Sequence, residues 1–216
     1  MSPGPGVQCF PVGPFQSNTY IVSGGGRALV VDPGDEPRRI QEAVAAQGLA
    51  VEAILLTHGH LDHVGAVAEL ERAFGVDTHL HPADRVFIER LAETCERYGL
   101  EPYEPPGRLR DLVQGQRFTA GTLELRAAET PGHSPGGVVF VGPGFALVGD
   151  LVFAGSVGRH DLPGGDARAL ARSIRREILS LPGPTVLHPG HGPATTVDAE
   201  RADNPYLAPG ALPEEP

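Results

Sequence analysis

Three of the nine histidines lie within the six residues HGHLDH, at His58, His60 and His63, together with Asp62. A single histidine is usually a solvated or packed side chain, but three imidazoles beside a carboxylate repel one another when protonated. A divalent cation is satisfied by neutral imidazole and carboxylate ligands. This segment is therefore predicted to bind metal.

The spacing within the segment suggests two ions. Residues i and i+2 of an extended or turning segment point to similar sides, so His58 and His60 can chelate one ion. Asp62 and His63 are displaced along the chain and can reach a second ion. A pair of ions about 3.5–4 Å apart is typical of bimetallic hydrolytic sites.

Further candidates follow other predicted strands. His133 lies in TPGHSPGG, Asp150 ends LVGD, and His188 and His191 lie in HPGH. Polar residues at strand ends share one edge of a sheet, where a site can form from distant parts of the chain. A turn or helix-cap role is the alternative for Asp150. Asp32, in VVDPGD, is expected to accept hydrogen bonds from backbone N–H groups of the HGH loop rather than to bind metal.

Alternating strand and helix patterns must position these residues. Apolar, β-branched segments around a glycine turn predict strands at TYIV and RALVV, and further strands are predicted at EAILLT, VDTHLHP and PTVLH. A period near two predicts three more strands within 116–150. Helical spacing predicts a helix after an N-cap at Asp35, and others at 65–74, 84–99 and 166–181. The order favours an α/β fold with two sheets and outer helices in a single domain, 1–216, with flexible ends at 1–8 and 207–216.

Composition excludes several function classes. The net charge of −10 makes nucleic acid an improbable partner, and no apolar run is long enough to cross a bilayer. All 17 basic residues are arginine, which excludes a lysine nucleophile. Cys9 and Cys95 are far apart and do not form a thiolate metal motif. The N-terminus does not have the pattern of a signal peptide, so a cytoplasmic protein without membrane partners is expected.

The segments THGHLDH, TPGHSPGG, LVGD and HPGHGP, in this order, resemble those of the metallo-β-lactamase-fold hydrolases. GDLVFAGSVGRHDLPGGD is similar to the short bacterial glyoxalase II-like branch, the hydroxyacylglutathione hydrolases. The resemblance implies an αββα sandwich of two mixed sheets with helices on the outer faces. It also implies one metal bound by His58, His60 and His133, another by Asp62, His63 and His191, and Asp150 as the bridge.

The implied activity is hydrolysis of a thioester, a small glutathione-derived substrate, by a metal-bridging hydroxide, with Asp62 and Asp150 as catalytic residues. The two divalent ions would be zinc, iron or manganese. One alternative is a persulfide dioxygenase with a single Fe(II) held by His58, His133 and Asp150. Another is a non-catalytic metal-binding protein of the same fold. The acyl group, the thiol carrier and the oligomeric state are not determined by the sequence.

The remaining polar candidates receive weaker assignments. His188 precedes Pro189, which favours extended backbone, and it is interpreted as the end of a strand. Arg159 either pairs with Asp161 or contacts a substrate carboxylate. His79 and His81 are interpreted as structural. No role is assigned to His160 or to the proline-rich connector 101–107.

Overall fold

Two six-stranded sheets form the centre of the molecule. The computed structural model describes residues 6–208 and 211. The first sheet has the strand order β1-β2-β3-β4-β5-β6. Its strands are β1 (Gly6–Val12), β2 (Ser17–Gly24), β3 (Arg27–Val31), β4 (Ala50–Leu55), β5 (Thr78–Leu80) and β6 (Leu109–Asp111). The sheet is mixed, because β1, β2 and β3 pair antiparallel whereas β3, β4, β5 and β6 pair parallel.

The second sheet has the order β14-β13-β10-β9-β8-β7 and is also mixed. Its strands are β7 (Arg117–Ala120), β8 (Leu123–Glu129), β9 (Val138–Gly142), β10 (Phe145–Gly149), β13 (Val186–Pro189) and β14 (Thr195–Thr196). Only β10 and β13 pair in parallel within it. A separate short hairpin is formed by β11 (Val152–Phe153) and β12 (Ser156–Val157).

The helices lie outside the sheets. They are α1 (Pro37–Ala46), α2 (Leu61–Val64), α3 (Val67–Phe74), α4 (Arg85–Glu89), α5 (Leu91–Arg97), α6 (Ala167–Ser173) and α7 (Val197–Asp203). Short 3-10 helices span Pro82–Asp84 and Pro205–Leu207, and α6 continues as a π-helical turn over Ile174–Ile178. No helix in the described part of the chain is long and apolar enough to cross a bilayer.

Three apolar layers hold the four layers of structure together. Strand β2 contributes to two of these layers, because its successive side chains point to opposite faces of the sheet. Tyr20 and Val22 lie in the layer between the two sheets, whereas Ile21 lies between the first sheet and the helices that include α1 and α3. A third layer packs α6 and α7 against the second sheet. Both faces of both sheets are therefore covered, which confirms the expected αββα sandwich.

The N-terminal strand differs from the expectation. Residues 6–8, expected to be flexible, pair with β2 as the start of β1. Proline and glycine in QCFPVGP indicate irregular backbone, but an edge strand tolerates proline because one side needs no hydrogen bonds. At the other end, Leu207 closes a 3-10 helix. The other residues of the two expected flexible ends, apart from 208 and 211, lie outside the described residues.

Two helix predictions were also wrong in detail. The helix expected over 84–99 is broken, because Arg90 leaves helical geometry between α4 and α5. Asp35 is not the N-cap of α1: that position is Glu36, which has a positive φ and makes no side-chain cap. The Asp35 carboxylate instead accepts from the Glu36 N–H and the Tyr103 hydroxyl.

Candidate metal centre

Five strands end at one edge of the sandwich and deliver the polar residues predicted from the sequence. Asp32 follows β3, and the HGHLDH segment follows β4 and enters α2 at Leu61. His133 follows β8, Asp150 follows β10, and His191 follows β13. The two sheets thus bring together side chains from distant parts of the chain at this edge.

His58, His60 and His133 form what we call the first ligand group. One ring nitrogen from each lies within 4.8 Å of the others. His133 Nε2 lies 3.0 Å from His60 Nδ1, and the His58 ring packs at 4.7 Å from that of His60. Three imidazoles therefore converge on one point.

Asp62, His63 and His191 form the second ligand group, with donor atoms again within 4.8 Å of one another. Asp62 Oδ2 lies 3.1 Å from His191 Nε2 and 3.5 Å from His63 Nε2. The short helix α2 carries the first two residues of this group, and the turn after β13 carries the third.

Asp150 lies between the two groups. Its Oδ2 is 3.6 Å from His133 Nε2 of the first group, and its Oδ1 is 3.6 Å from His63 Nε2 of the second. Oδ2 is also 3.7 Å from His191 Nε2. All seven residues predicted as ligands are therefore brought to a single site.

Hydrogen bonds select the ring nitrogens that face inward. His133 Nδ1 lies 2.8 Å from the backbone oxygen of Arg159, which can only accept, so Nδ1 carries the proton and Nε2 keeps its lone pair. The Thr57 hydroxyl donates to Asp32 Oδ2 at 2.6 Å and must therefore accept from His58 Nδ1 at 3.0 Å. Both histidines therefore turn Nε2 towards the centre; His58 Nε2 has no hydrogen-bond partner among the described residues, whereas His133 Nε2 lies 3.0 Å from His60 Nδ1.

Asp32 lies behind both groups, but not with the contacts expected from the sequence. Its Oδ1 accepts from the Thr57 N–H at 2.7 Å, and its Oδ2 lies 3.1 Å from His63 Nδ1. The expected bonds to the backbone of the HGH loop are made by Asp84 instead, which accepts from Gly59 N–H at 2.9 Å. Asp32 itself has φ of 50°, a strained conformation that these bonds hold in place.

The inward-facing atoms suit a divalent cation. His58 Nε2, His63 Nε2 and Asp150 Oδ1 are buried and have no hydrogen-bond partner within the described residues. A buried polar atom without a partner is unfavourable by about 1–3 kcal/mol. Neutral imidazole nitrogens and carboxylate oxygens are common ligands of zinc, iron and manganese, so these residues fit metal binding.

Two histidines of the first ligand group, His58 and His60, are held neutral. Burial, followed by the neighbouring imidazole of His133, lowers the pKa of His60 to about 3. Burial and the adjacent histidine rings also hold the pKa of His58 well below its usual value. Their lone pairs are thus free for a metal at neutral pH.

The second ligand group has more carboxylates around its histidines than the first. Burial lowers the pKa of His63, but the carboxylate of Asp62 and two further carboxylates outweigh it and raise the pKa to about 10. The pKa of His191 is raised as well, by its hydrogen bond to Asp62 and by Asp150 against the effect of burial. A proton therefore competes with a cation for this group.

Gly190, between the two histidines of HPGH, is required by close approach. A Cβ at this position would overlap Asp150 Oδ1 and lie 2.8 Å from Cε1 of His63. The turn after β13 therefore passes directly against the centre. The sequence analysis did not identify Gly190, Asp84 or Thr57 as important. The only indication available was that Gly190 and Thr57 lie next to candidate ligands in the chain.

The other polar candidates lie outside the two ligand groups. His188 lies within β13, opposite Leu147 of β10, and its ring packs 5.5 Å from Tyr20. Arg159 forms a bidentate pair with Asp161, at 3.0 and 3.1 Å, on the exposed surface. His160 is exposed beside this pair.

His79 and His81 also stay apart from the centre. The His79 ring packs 4.7 Å from Phe118, and His81 Nδ1 accepts from the Ala83 N–H as the cap of a 3-10 helix. Their structural interpretation agrees with these contacts.

The family assignment follows from a match across most of the chain. The family model described as Metallo-beta-lactamase superfamily matches residues 12–191, a range that includes both ligand groups and Asp150. The chain belongs to the metallo-β-lactamase superfamily.

Several relatives within the superfamily resemble the whole chain. The hydroxyacylglutathione hydrolase GloC of Haemophilus influenzae is 34% identical over 207 residues, covering 93% of this chain and 97% of the relative. The solved structure of TTHA1623 in a di-iron-bound form is 44% identical, with a TM-score of 0.86 over 93% of this chain and 100% of that chain. The structure of the BLEG-1 B3 metallo-beta-lactamase is 35% identical, with a TM-score of 0.85 over 94% and 100% of the two chains. The superfamily members that are similar to this chain thus include one named as a hydroxyacylglutathione hydrolase and one named as a β-lactamase.

Proposed function

We propose that the protein is a two-metal hydrolase that cleaves thioesters of the hydroxyacylglutathione type. The observation that carries the proposal is the pair of three-residue ligand groups with Asp150 between them, 3.6 Å from a ligand atom of each. The similarity to the hydroxyacylglutathione hydrolase GloC supports the thioester class.

Each ligand group would hold one divalent cation, zinc, iron or manganese. When bound, such a pair lowers the pKa of water towards about 7 and polarises a carbonyl oxygen. Asp150 would contact both cations. This arrangement is supported by His58 Nε2, His63 Nε2 and Asp150 Oδ1, because each is buried without a hydrogen-bond partner among the described residues.

The carboxylates of Asp150 and Asp62 would orient the attacking water. Asp150 Oδ1 is buried without a hydrogen-bond partner among the described residues and lies 3.6 Å from His63 Nε2, so it can accept a hydrogen bond from that water. Asp62 Oδ2, 3.1 Å from His191 Nε2, keeps its negative charge, because His63 and His191 lower its pKa against the effect of burial. Oxygen adds to the thioester carbonyl carbon, the carbon–sulfur bond breaks, and the acid and the thiol are released.

The departing sulfur needs no strong general acid. A thiol has a pKa of about 8.5, so its thiolate leaves readily near neutral pH. The reaction therefore requires no serine, cysteine or lysine nucleophile, in agreement with the absence of lysine from the sequence.

Recognition of the thiol carrier is the less specific part of the proposal. Arg159, the sequence candidate for a substrate carboxylate, is already paired with Asp161. It would meet a carboxylate of the substrate only by exchanging that partner.

A single-iron persulfide dioxygenase is the second candidate. His58, His133 and Asp150 could form the two-histidine, one-carboxylate set of such an enzyme. The similar protein solved in a di-iron-bound form supports iron as a possible metal, but with two ions rather than one. The complete second ligand group favours the hydrolase over this oxidation and over a non-catalytic metal-binding protein.

One set of measurements separates these functions. Purified protein should contain about two divalent ions per chain and hydrolyse an S-acylated glutathione, measured as released thiol. The same preparation should take up no oxygen with glutathione persulfide and should open no β-lactam ring. About one iron per chain, with oxygen uptake and no thiol release, would overturn the hydrolase proposal.

A further inference from the structure

Asp84 is a fully buried carboxylate between the two loops that carry the first ligand group. Its Oδ2 accepts from the Gly59 N–H at 2.9 Å and from the Ser134 hydroxyl at 2.7 Å. Its Oδ1 accepts from the Gly136 N–H at 2.6 Å. Both oxygens are used, and all three donors are neutral.

The three donors adjoin the first ligand group in the chain. Gly59 lies between His58 and His60, and Ser134 directly follows His133. The two loops belong to different sheets, since one follows β4 and the other follows β8. Asp84 therefore ties together the two loops that supply the three histidines.

The packing around this carboxylate is tight. A Cβ on Gly59 would lie 2.8 Å from the backbone oxygen of Asp84, and one on Gly136 would lie 2.8 Å from its Oδ1. Contacts of this length force a shift of the loop, so both positions suit only glycine. The backbones of the two loops therefore pack directly against Asp84.

We infer that Asp84 is a positioning residue that sets the distance between His133 and the other two histidines of the first ligand group. The inference rests on the proposed two-metal centre. Its effect should be selective, because the second ligand group is held from behind by a different carboxylate, Asp32, through its hydrogen bond with His63.

The variant Asp84→Asn tests this. Asparagine keeps the size of the side chain, but its amide N–H₂ would face a donor, so at least one of the three hydrogen bonds is lost. Glu71→Gln is a matched control. Glu71 is also buried and also accepts from one hydroxyl, that of Thr78, and from two backbone N–H groups. These two groups belong to Gly107, at the end of the connector, and to Arg108 directly after it.

Zinc affinity is measured by titrating metal-free protein against a chromophoric chelator. Both substitutions are placed in a His191→Ala background, which removes a ligand of the second group and leaves the first group to bind zinc. Asp84→Asn should weaken zinc binding by about 10- to 100-fold, the usual effect of losing a partner of a metal-ligand shell. Glu71→Gln should change it by less than about threefold, within the usual context-dependent scatter of such values.

Equal zinc affinity in the Asp84→Asn and Glu71→Gln proteins would overturn the inference, because Asp84 would then be an ordinary stabilising contact. Circular dichroism and thermal melting of the metal-free proteins report whether each variant is folded. Should Asp84→Asn not fold, Ser134→Ala, which removes only the hydroxyl bond, is measured instead and should show a smaller loss of the same kind; unchanged affinity there would equally overturn the inference. The titration needs no substrate, so failure of thioester hydrolysis would contradict the proposed function separately.

Discussion

Two buried carboxylates lie directly behind the histidines of the candidate metal centre, Asp32 behind the rings and Asp84 behind the loops that carry them. Asp32 bonds His63 directly and reaches His58 through the hydroxyl of Thr57, so one carboxylate orients a ligand of each group. Asp84 acts on the loops rather than on the rings. At the scale of single residues, metal binding thus depends on hydrogen bonds that lie one step behind the ligands.

The two histidines of HPGH should differ sharply on substitution. His191→Ala removes a ligand of the second group and should reduce the metal content from about two ions to about one. His188→Ala leaves both ligand groups intact, because His188 lies within β13 and packs on Tyr20 and Phe145. Elemental analysis of the two purified variants measures this, and equal metal content in both would contradict the ligand assignment.

Metal binding by the two groups should respond differently to pH. His63, with its pKa raised to about 10, carries a proton at neutral pH and must lose it to bind a cation through Nε2. In the first group His58 and His60 are already neutral, because burial and the neighbouring imidazoles lower their pKa values, that of His60 to about 3. Affinity of the second group should therefore rise by up to about tenfold per pH unit between pH 6 and 9, while that of the first changes little.

Calorimetry in buffers of different ionisation enthalpy checks this directly, since it counts the protons released on zinc binding. At least one proton should be released near pH 7 by the wild-type protein at the second equivalent of zinc, because the pKa of His191 is raised as well as that of His63. His191→Ala, which binds through the first group, should release close to none. Equal proton release at both equivalents would refute the difference in charge between the groups.

At the scale of elements, α7 holds the hairpin of β11 and β12 against the centre. Asn204 Nδ2 donates to the Ser156 oxygen at 2.9 Å, and Glu200 Oε2 accepts from the Gly155 N–H at 3.0 Å. The chain leaving this hairpin supplies the Arg159 oxygen that bonds His133. A C-terminal helix remote in sequence therefore steadies a ligand of the first group.

Asn204→Ala should loosen this hairpin. The variant removes the side-chain donor to the half-buried Ser156 oxygen and to Glu200 Oε2, so we expect a loss of about 1–3 kcal/mol in the free energy of unfolding. Amide hydrogen exchange should accelerate at residues 152–159. Asp203→Ala, at an exposed position of the same helix, is the control and should change neither quantity. Unaltered exchange at 152–159 in Asn204→Ala would show that α7 does not hold the hairpin.

At the scale of the whole molecule, three apolar layers stabilise the fold. The layer between the two sheets is formed by side chains of both sheets. Phe140 of β9 is fully buried in this layer and packs 6.1 Å from the Phe118 ring. The metal centre lies at the edge of the same two sheets. Their relative position therefore determines whether the ligand groups meet.

Phe140→Ala should be strongly destabilising, because it removes a buried aromatic ring and leaves a cavity. We expect a loss of about 3–5 kcal/mol in the free energy of unfolding. Val113→Ala, at a position where 55% of the side chain is exposed, should change it by less than about 0.5 kcal/mol. Urea denaturation of the metal-free proteins measures both, and comparable midpoints for the two variants would contradict the importance of the inter-sheet layer.

The αββα fold and the seven candidate ligands were predicted from the sequence through the resemblance of its motifs to those of the metallo-β-lactamase-fold hydrolases. The fold is confirmed, and the structure brings the seven candidates together, whereas their metal binding stays a prediction. The continuous, largely apolar runs TYIV and RALVV predict strands with two buried faces, and HGHLDH concentrates its candidate ligands within six residues. Short or proline-containing elements were missed. β1 contains Pro11, β6 has three residues, and Arg90 divides a helix whose apolar spacing predicts continuity.

Only the tertiary structure decided which groups stand behind the ligands. Asp32 was expected on the backbone of the HGH loop, yet that contact belongs to Asp84, and Asp32 bonds Thr57 and His63. A carboxylate accepts from whichever donor the folded loops bring within about 3 Å, and no local pattern records that distance. The sequence therefore determined which residues can bind metal, and the packing of the two sheets determined how those residues are held.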